Sequence, residues 1–230
     1  MDSTLEEGLA ALRESDPDIE ALFGPRKNHI GGALETYLAE IERFNPAYGL
    51  VGAKNRRELV IKHILDSLAP LGIIRRLLNA FPPPRRMADA GSGAGLPGIP
   101  LAICLPGAAF TLIERMGRRA GFLRNTLAVL GLSNAVVEER GVEETPAGQY
   151  HIVSFRAFRP LEPRTIGGLF RLCAPEGLLA AYKGRREKIE AEMTAAGKTA
   201  GPWEALPCPV PFLPEERHLL VIKAPGAYET

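Results

Sequence analysis

Residues 88–102 read ADAGSGAGLPGIPLA. An apolar run ends at Asp89, glycines stand at 91, 93 and 95, and prolines follow at 97 and 100. Glycine carries no Cβ, so such a loop turns sharply and lets a ligand lie against bare backbone. The prolines suit the first turn of a helix, whose N–H groups have no partner inside the helix. That helix is expected to stop at Leu105, before Pro106-Gly107. A strand leading into the loop puts the glycines at the carboxyl edge of a sheet, where open α/β sheets bind ligands.

The spacing narrows the ligand. A phosphate-binding loop needs GxxxxGK[ST], and no Lys-Ser or Lys-Thr follows Gly95. A dinucleotide fingerprint needs GxGxxG, and Leu96 occupies the third glycine position. Glu114 ends the next apolar run, 25 positions after Asp89, and offers a carboxylate to both hydroxyls of a ribose. A glycine loop containing Asp89, Gly91 and Gly93, a ribose acid and no phosphate-binding lysine suits S-adenosylmethionine. The plainer alternative is a tight strand–helix turn that binds nothing.

Other chemistries find little support. The four histidines, His29, His63, His151 and His218, form no recognisable triad. Cys104, Cys173 and Cys208 are widely spaced without a CxxC, which argues against a disulfide framework or a zinc site. No metal is expected. The net charge of +1 provides no bulk attraction to nucleic acid, but basic residues gather at Arg115, Arg118 and Arg119, and again at Lys183, Arg185 and Arg186. Glu187, Glu190 and Glu192 beside the second group also fit an ordinary solvated helix face.

The elements that must hold these residues follow from periodicity. Residues 1–80 read as a helical extension: Ile30, Leu34, Leu38 and Ile41 share helical spacing up to Asn45-Pro46, and Leu59, Ile61, Ile64, Leu65 and Leu68 resume it up to Pro70. FPPPRR (81–86) is a stiff linker and the expected boundary with a domain of 81–230. Beyond it, apolar runs at 87–90, 109–114, 135–139, 150–155, 177–183 and 218–224 alternate with helical stretches such as 118–131 and 184–196. That alternation predicts an α/β fold with a mostly parallel sheet. Two runs around a Pro-Glu-Glu turn near the end predict a closing antiparallel hairpin. The acidic N-terminal stretch has no apolar signal core, and no run is long enough to span a membrane, so a cytoplasmic protein is expected.

The chain resembles the RsmG (GidB) family. The strings that carry the resemblance are FNPAYGLVG (44–52), HILDS (63–67), DAGSGAGLPGIPLAI (89–103), RRAGFLRN (118–125), GVEE (141–144), RAF (156–158), YKG (182–184) and ERHLLVIK (216–223). The resemblance implies a class I, Rossmann-like methyltransferase that uses S-adenosylmethionine to modify N7 of a guanine in bacterial 16S ribosomal RNA, the family's target being guanine 527 in the 530 loop. It implies cofactor contacts from Gly91, Leu96, Val142, Glu143 and Arg156. It also implies a partner, 16S RNA or the small subunit or its precursor; a monomer is expected.

N7 of guanine has a lone pair and no proton to lose, so the transfer needs no general base. Arg156 is the expected positioning residue, Phe158 a candidate for stacking on a base, and Asp66 and Ser67 weaker candidates. Departures from the family pattern are His151, Phe155 where serine is usual, and the Arg140-Gly141 pair. The competing readings are methylation of another RNA or a small molecule, a dinucleotide oxidoreductase, and a non-catalytic RNA-binding protein on the same fold.

Overall fold

The computed structural model describes residues 2–157 and 160–224. Helices open the chain: α1 (Ser3–Ser15), α2 (Pro17–Phe23) and α3 (Lys27–Tyr48). Asp2 caps α1 by accepting the Leu5 N–H, and Asp16 caps α2, whose first residue is Pro17. Along α3, Ile30, Leu34, Tyr37, Leu38 and Ile41 are wholly buried at the expected spacing. The expected stop at Asn45-Pro46 is corrected: α3 runs on to Tyr48 and ends at Gly49, which takes the left-handed φ of 57°. So close to a helix end, the N–H missing from proline costs only one bond, and Asn45 still accepts from the Gly49 N–H.

Next come α4 (Arg56–Leu59), a wide π-helical stretch (Val60–Leu65) and α5 (Asp66–Leu68), with α6 (Leu71–Asn79) beyond Pro70. Lys62, His63 and Asp66 sit on or just after the wide turns, a form that recurs at functional sites.

The remaining elements are β1 (Arg85–Ala90), α7 (Gly98–Cys104), β2 (Ala108–Ile113), α8 (Gly117–Leu130), β3 (Ala135–Glu138), β4 (Tyr150–Arg156), α9 (Pro163–Phe170), β5 (Cys173–Lys183), α10 (Arg186–Ala196), β6 (Trp203–Pro207) and β7 (His218–Lys223). They form one seven-stranded sheet in the order β3-β2-β1-β4-β5-β7-β6. Only β7 runs against the other six strands, and it lies between β5 and β6 rather than at the edge. The expected hairpin is therefore present, with its returning strand inserted into the sheet. Strand order reverses between β1 and β4, which marks the crevice where such sheets bind ligands.

The sheet is apolar on both faces, with alternate residues going to opposite sides. Met87, Phe110, Ile152, Ala180 and Leu219 pack with α7, α8 and the N-terminal helices in one core. Ala88, Ile113, Val153, Leu179 and Leu220 pack with α9 and α10 in another. Phe155 belongs to this second core. His151 lies at the far end of β4, where its Nδ1 accepts the Arg86 N–H and its ring stacks on Phe81.

The β1–α7 loop is held from several sides. Gly91, Gly93 and Gly95 have φ of 71°, 58° and 92°. The carbonyl of Ile113 accepts the N–H groups of Gly91 and Ser92, and Tyr37 donates its hydroxyl to the Ala94 carbonyl at 2.7 Å. A Cβ on Gly95 would come within 2.4 Å of Ile99, so crowding and backbone angle both demand glycine there. Pro97 precedes α7 as its cap residue and Pro100 is third in the helix, both at positions without helical N–H partners.

Asp89 is 1% exposed, and its Oδ2 accepts from Ser92 Oγ (2.7 Å) and Gly98 N (3.0 Å), while Oδ1 has no partner among the described residues. Burial raises its pKa from 3.8 to about 6 despite those two hydrogen bonds. The folded chain thus retains a proton that the unfolded chain has lost. This group's contribution to stability is complete below about pH 4 and gone above about pH 6, a loss of about 3 kcal/mol. In urea unfolding across that window, the wild-type chain should lose about 3 kcal/mol relative to Asp89→Asn. Parallel pH profiles for the two proteins would contradict this account.

Candidate active site

Two cavities open where the strands end, and Ala157 lines both. Ala157 takes a left-handed φ of 50°, uncommon for a residue with a Cβ, and it turns the chain away from β4 between the two spaces.

The first cavity, about 260 Å3, is lined by Gly91, Glu114, Arg119, Val142 and Glu143 among others. Glu114 is 4% exposed; Oε2 accepts from Gly93 N and Oε1 from Met116 N, both at 2.9 Å. Each oxygen retains a lone pair for a further donor. Glu114 therefore shapes the glycine loop while presenting its carboxylate to the cavity. The short turn carrying Val142 and Glu143 is clamped by Arg171, whose Nη2 reaches the carbonyls of Val142 (2.7 Å), Glu143 (3.2 Å) and Thr145 (2.7 Å). Arg115 also lines this cavity, and Arg118 is exposed on the first turn of α8. Arg115, Arg118 and Arg119 form no ion pair with any described residue.

The second cavity, about 370 Å3, centres on Asp66, which is 7% exposed. Its Oδ2 accepts from Arg156 Nη1 and its Oδ1 from Arg217 Nε, each at 2.9 Å. Arg156 also donates to the Lys62 carbonyl and, through Nη2 at 3.2 Å, to His63 Nδ1. A guanidinium only donates, so His63 must be neutral with its proton on Nε2. Burial and the nearby Arg156 charge bring the His63 pKa down to about 4. Cys208 also lines the cavity, but burial holds its thiol up at about 12, far from a nucleophilic thiolate. Tyr182 donates its hydroxyl to the Ser67 carbonyl at 2.9 Å, closing the floor.

The sequence-derived candidates divide among these places. Gly91, Glu114, Val142 and Glu143 meet in the first cavity; Arg156 and Lys183 line the second. Asp89, Gly93 and Leu96 belong to the loop itself, and Leu96 is packed in the core. Lys183 is engaged with Glu192 at 2.5 Å, and Arg185 is exposed just before α10. Phe158 lies outside the described residues. Sequence reasoning missed Arg217, Tyr182 and Lys62 as cavity residues. The only available signal was the matching strings ERHLLVIK and YKG, which show a strand but not which strand it joins.

The family described as rRNA small subunit methyltransferase G (GidB) matches residues 31–219. The chain is 35% identical to the ribosomal RNA small subunit methyltransferase G of Treponema denticola, covering 86% of this chain and 88% of that one. It is 40% identical to the protein of the same name from Cellvibrio japonicus, covering 83% and 84%. In fold, it is similar to a solved structure described as a predicted O-methyltransferase from Agrobacterium tumefaciens, with a TM-score of 0.54 and 23% identity over 70% of this chain and 80% of that one. With a family match from α3 into β7 and relatives aligned over most of their length, the chain belongs to the rRNA small subunit methyltransferase G family.

Proposed function

We propose that this chain transfers the methyl group of S-adenosylmethionine to N7 of a guanine in small-subunit ribosomal RNA. The observation that carries the reading is the pair of cavities meeting at Ala157, one suited to an adenosine and the other flanked by arginines. In the first, Glu114 faces a ribose diol, Gly91 leaves room at the loop, and Val142 and Glu143 line the space for the base. The bound cofactor supplies an electrophilic sulfonium methyl.

The residues of the second cavity orient the acceptor. Asp66, the Lys62 carbonyl and His63 fix Arg156 from three directions, leaving little freedom to lose when RNA binds. Arg217 shares Asp66 and brings a second guanidinium to the same space. Such groups suit guanine O6 and the adjoining phosphates, leaving the N7 lone pair free to attack the methyl. Orientation of this kind is worth up to about 7–11 kcal/mol in favourable cases, so a proton acceptor is unnecessary. Arg115, Arg118 and Arg119 extend the cationic rim beside the first cavity. They are better placed for phosphates than the second basic group, where Lys183 and Arg186 are already paired with Glu192 and Glu190.

In this reading, residues 81–230 are the transferase domain, and the helices of 1–80 supply Lys62, His63 and Asp66 to its acceptor side. One copy lines both cavities, consistent with a monomer meeting the small subunit or its precursor in the cytoplasm. Among the described residues, no helix is long and apolar enough to cross a membrane.

Mass-spectrometric mapping of ribosomal RNA from cells with and without this protein tests the reading: one 7-methylguanosine should disappear from 16S RNA when the chain is absent. An unchanged map would overturn it.

Glu114→Ala should weaken S-adenosylmethionine binding at least about tenfold, since charge-assisted hydrogen bonds contribute about 1.5–3 kcal/mol each. Calorimetry showing less than a threefold loss would mean the ribose is held elsewhere.

Single-turnover rates at saturating cofactor and RNA should stay nearly flat from about pH 6.5 to 8.5, because His63 remains neutral throughout that range and no proton leaves N7. A tenfold rise across the range, lost on replacing His63, would reveal general-base catalysis instead.

A further inference from the structure

The connection between β6 and β7, residues 208–217, is anchored at Cys208 and Val210, both buried in the core. Between Val210 and the half-buried Leu213, Phe212 stands out: the residue is 45% exposed and its backbone has a left-handed φ of 65°. An aromatic residue is strained in that conformation, and such strain persists only where the surrounding structure holds it. The guanidinium of Arg57 lies 5.5 Å from the ring centroid.

Arg57 and Phe212 together line a cleft of about 330 Å3, lined also by Lys54, Lys62, Leu213 and Glu215. Arg57 donates to the Thr4 hydroxyl but forms no ion pair with any described residue. Glu58 is occupied by the ammonium of Lys62 and the backbone N–H of Lys54, which leaves Glu215 as the other carboxylate in the cleft.

The position of the cleft gives it a meaning. Lys62 lines both this cleft and the acceptor cavity, and the 208–217 connection supplies Phe212 to one and Arg217 to the other. Cofactor cavity, acceptor cavity and cleft thus lie in series, joined at Ala157 and then at Lys62.

Resting on the functional reading above, we infer that Phe212 stacks on an unpaired base of the RNA near the target guanine, with Arg57 and Lys54 meeting the adjoining phosphates. An exposed ring flanked by cations is the arrangement that holds single-stranded RNA, because any base can stack on it and the backbone remains within reach of positive charge.

Phe212→Gly separates this role from a structural one. Glycine relieves the left-handed strain and so offsets the lost ring contacts and the added chain entropy, and the variant should fold and unfold at close to the wild-type temperature. Its affinity for a short single-stranded RNA spanning the methylated guanine should nevertheless fall about fivefold or more, the lower range for one stacked base. Phe212→Tyr should retain wild-type RNA affinity, and S-adenosylmethionine affinity should be unchanged in both variants. Equal RNA affinity in Phe212→Gly and wild type would overturn the inference. So would unchanged RNA affinity with slower methylation of assembled subunits, since the ring would then meet a protein of the particle. An RNA that the wild-type chain neither binds nor methylates would overturn the functional reading, and this surface with it.

Discussion

The buried carboxylate of Asp66 joins parts of the chain far apart in sequence. It comes from α5, and it holds Arg156 at the end of β4 and Arg217 just before β7. Two cations this close would repel strongly in a poorly hydrated space, and the carboxylate between them makes their proximity tolerable. Removing one partner from such a buried set typically costs about 3–5 kcal/mol, because the remaining charges are left uncompensated. The acceptor cavity therefore depends on the N-terminal helices being docked on the sheet. A transferase sheet folded without them would lack both the anion and the His63 contact that fix Arg156.

The cofactor side follows a different rule. There the proposed binding element is the backbone itself, and side chains hold it in an uncommon conformation. Asp89, Glu114 and Tyr37 each bond to the glycine loop from a different element. Asp89 and Glu114 thus act partly through the loop, and Arg171 similarly sets the turn bearing Val142 and Glu143. A bond from Tyr37 to the Ala94 carbonyl also ties α3 directly to the loop, so the helical extension supports both cavities.

Insertion of β7 between β5 and β6 links the two sides. Its antiparallel course brings the chain back to the carboxyl end of β5 and places Arg217 and His218 beside Lys183 and Gly184. His218 donates from Nδ1 to the Gly184 carbonyl, 2.7 Å away, and fixes the junction. The same connection supplies the Phe212 ring, so one segment serves both acceptor cavity and outer cleft.

Local pattern determined much of this protein. Alternating apolar runs and helical spacing disclosed the α/β sheet, and the three alternate glycines disclosed the tight loop at the carboxyl end of β1, because backbone angle and periodicity are written in short stretches. The end of α3 was misread at Pro46, where a single lost hydrogen bond near a terminus proved tolerable. Only the tertiary structure decided which charges meet. Asp66, Arg156 and Arg217 span a separation of 151 residues, and nothing in their local sequence states that they share one cavity. It also distinguished the two basic groups: both read alike as strings, but Lys183 is neutralised by Glu192 across a turn whereas Arg115, Arg118 and Arg119 keep their charge unpaired among the described residues. Pairing and burial arise from packing between distant elements, so sequence fixes the candidates and the fold fixes their partners.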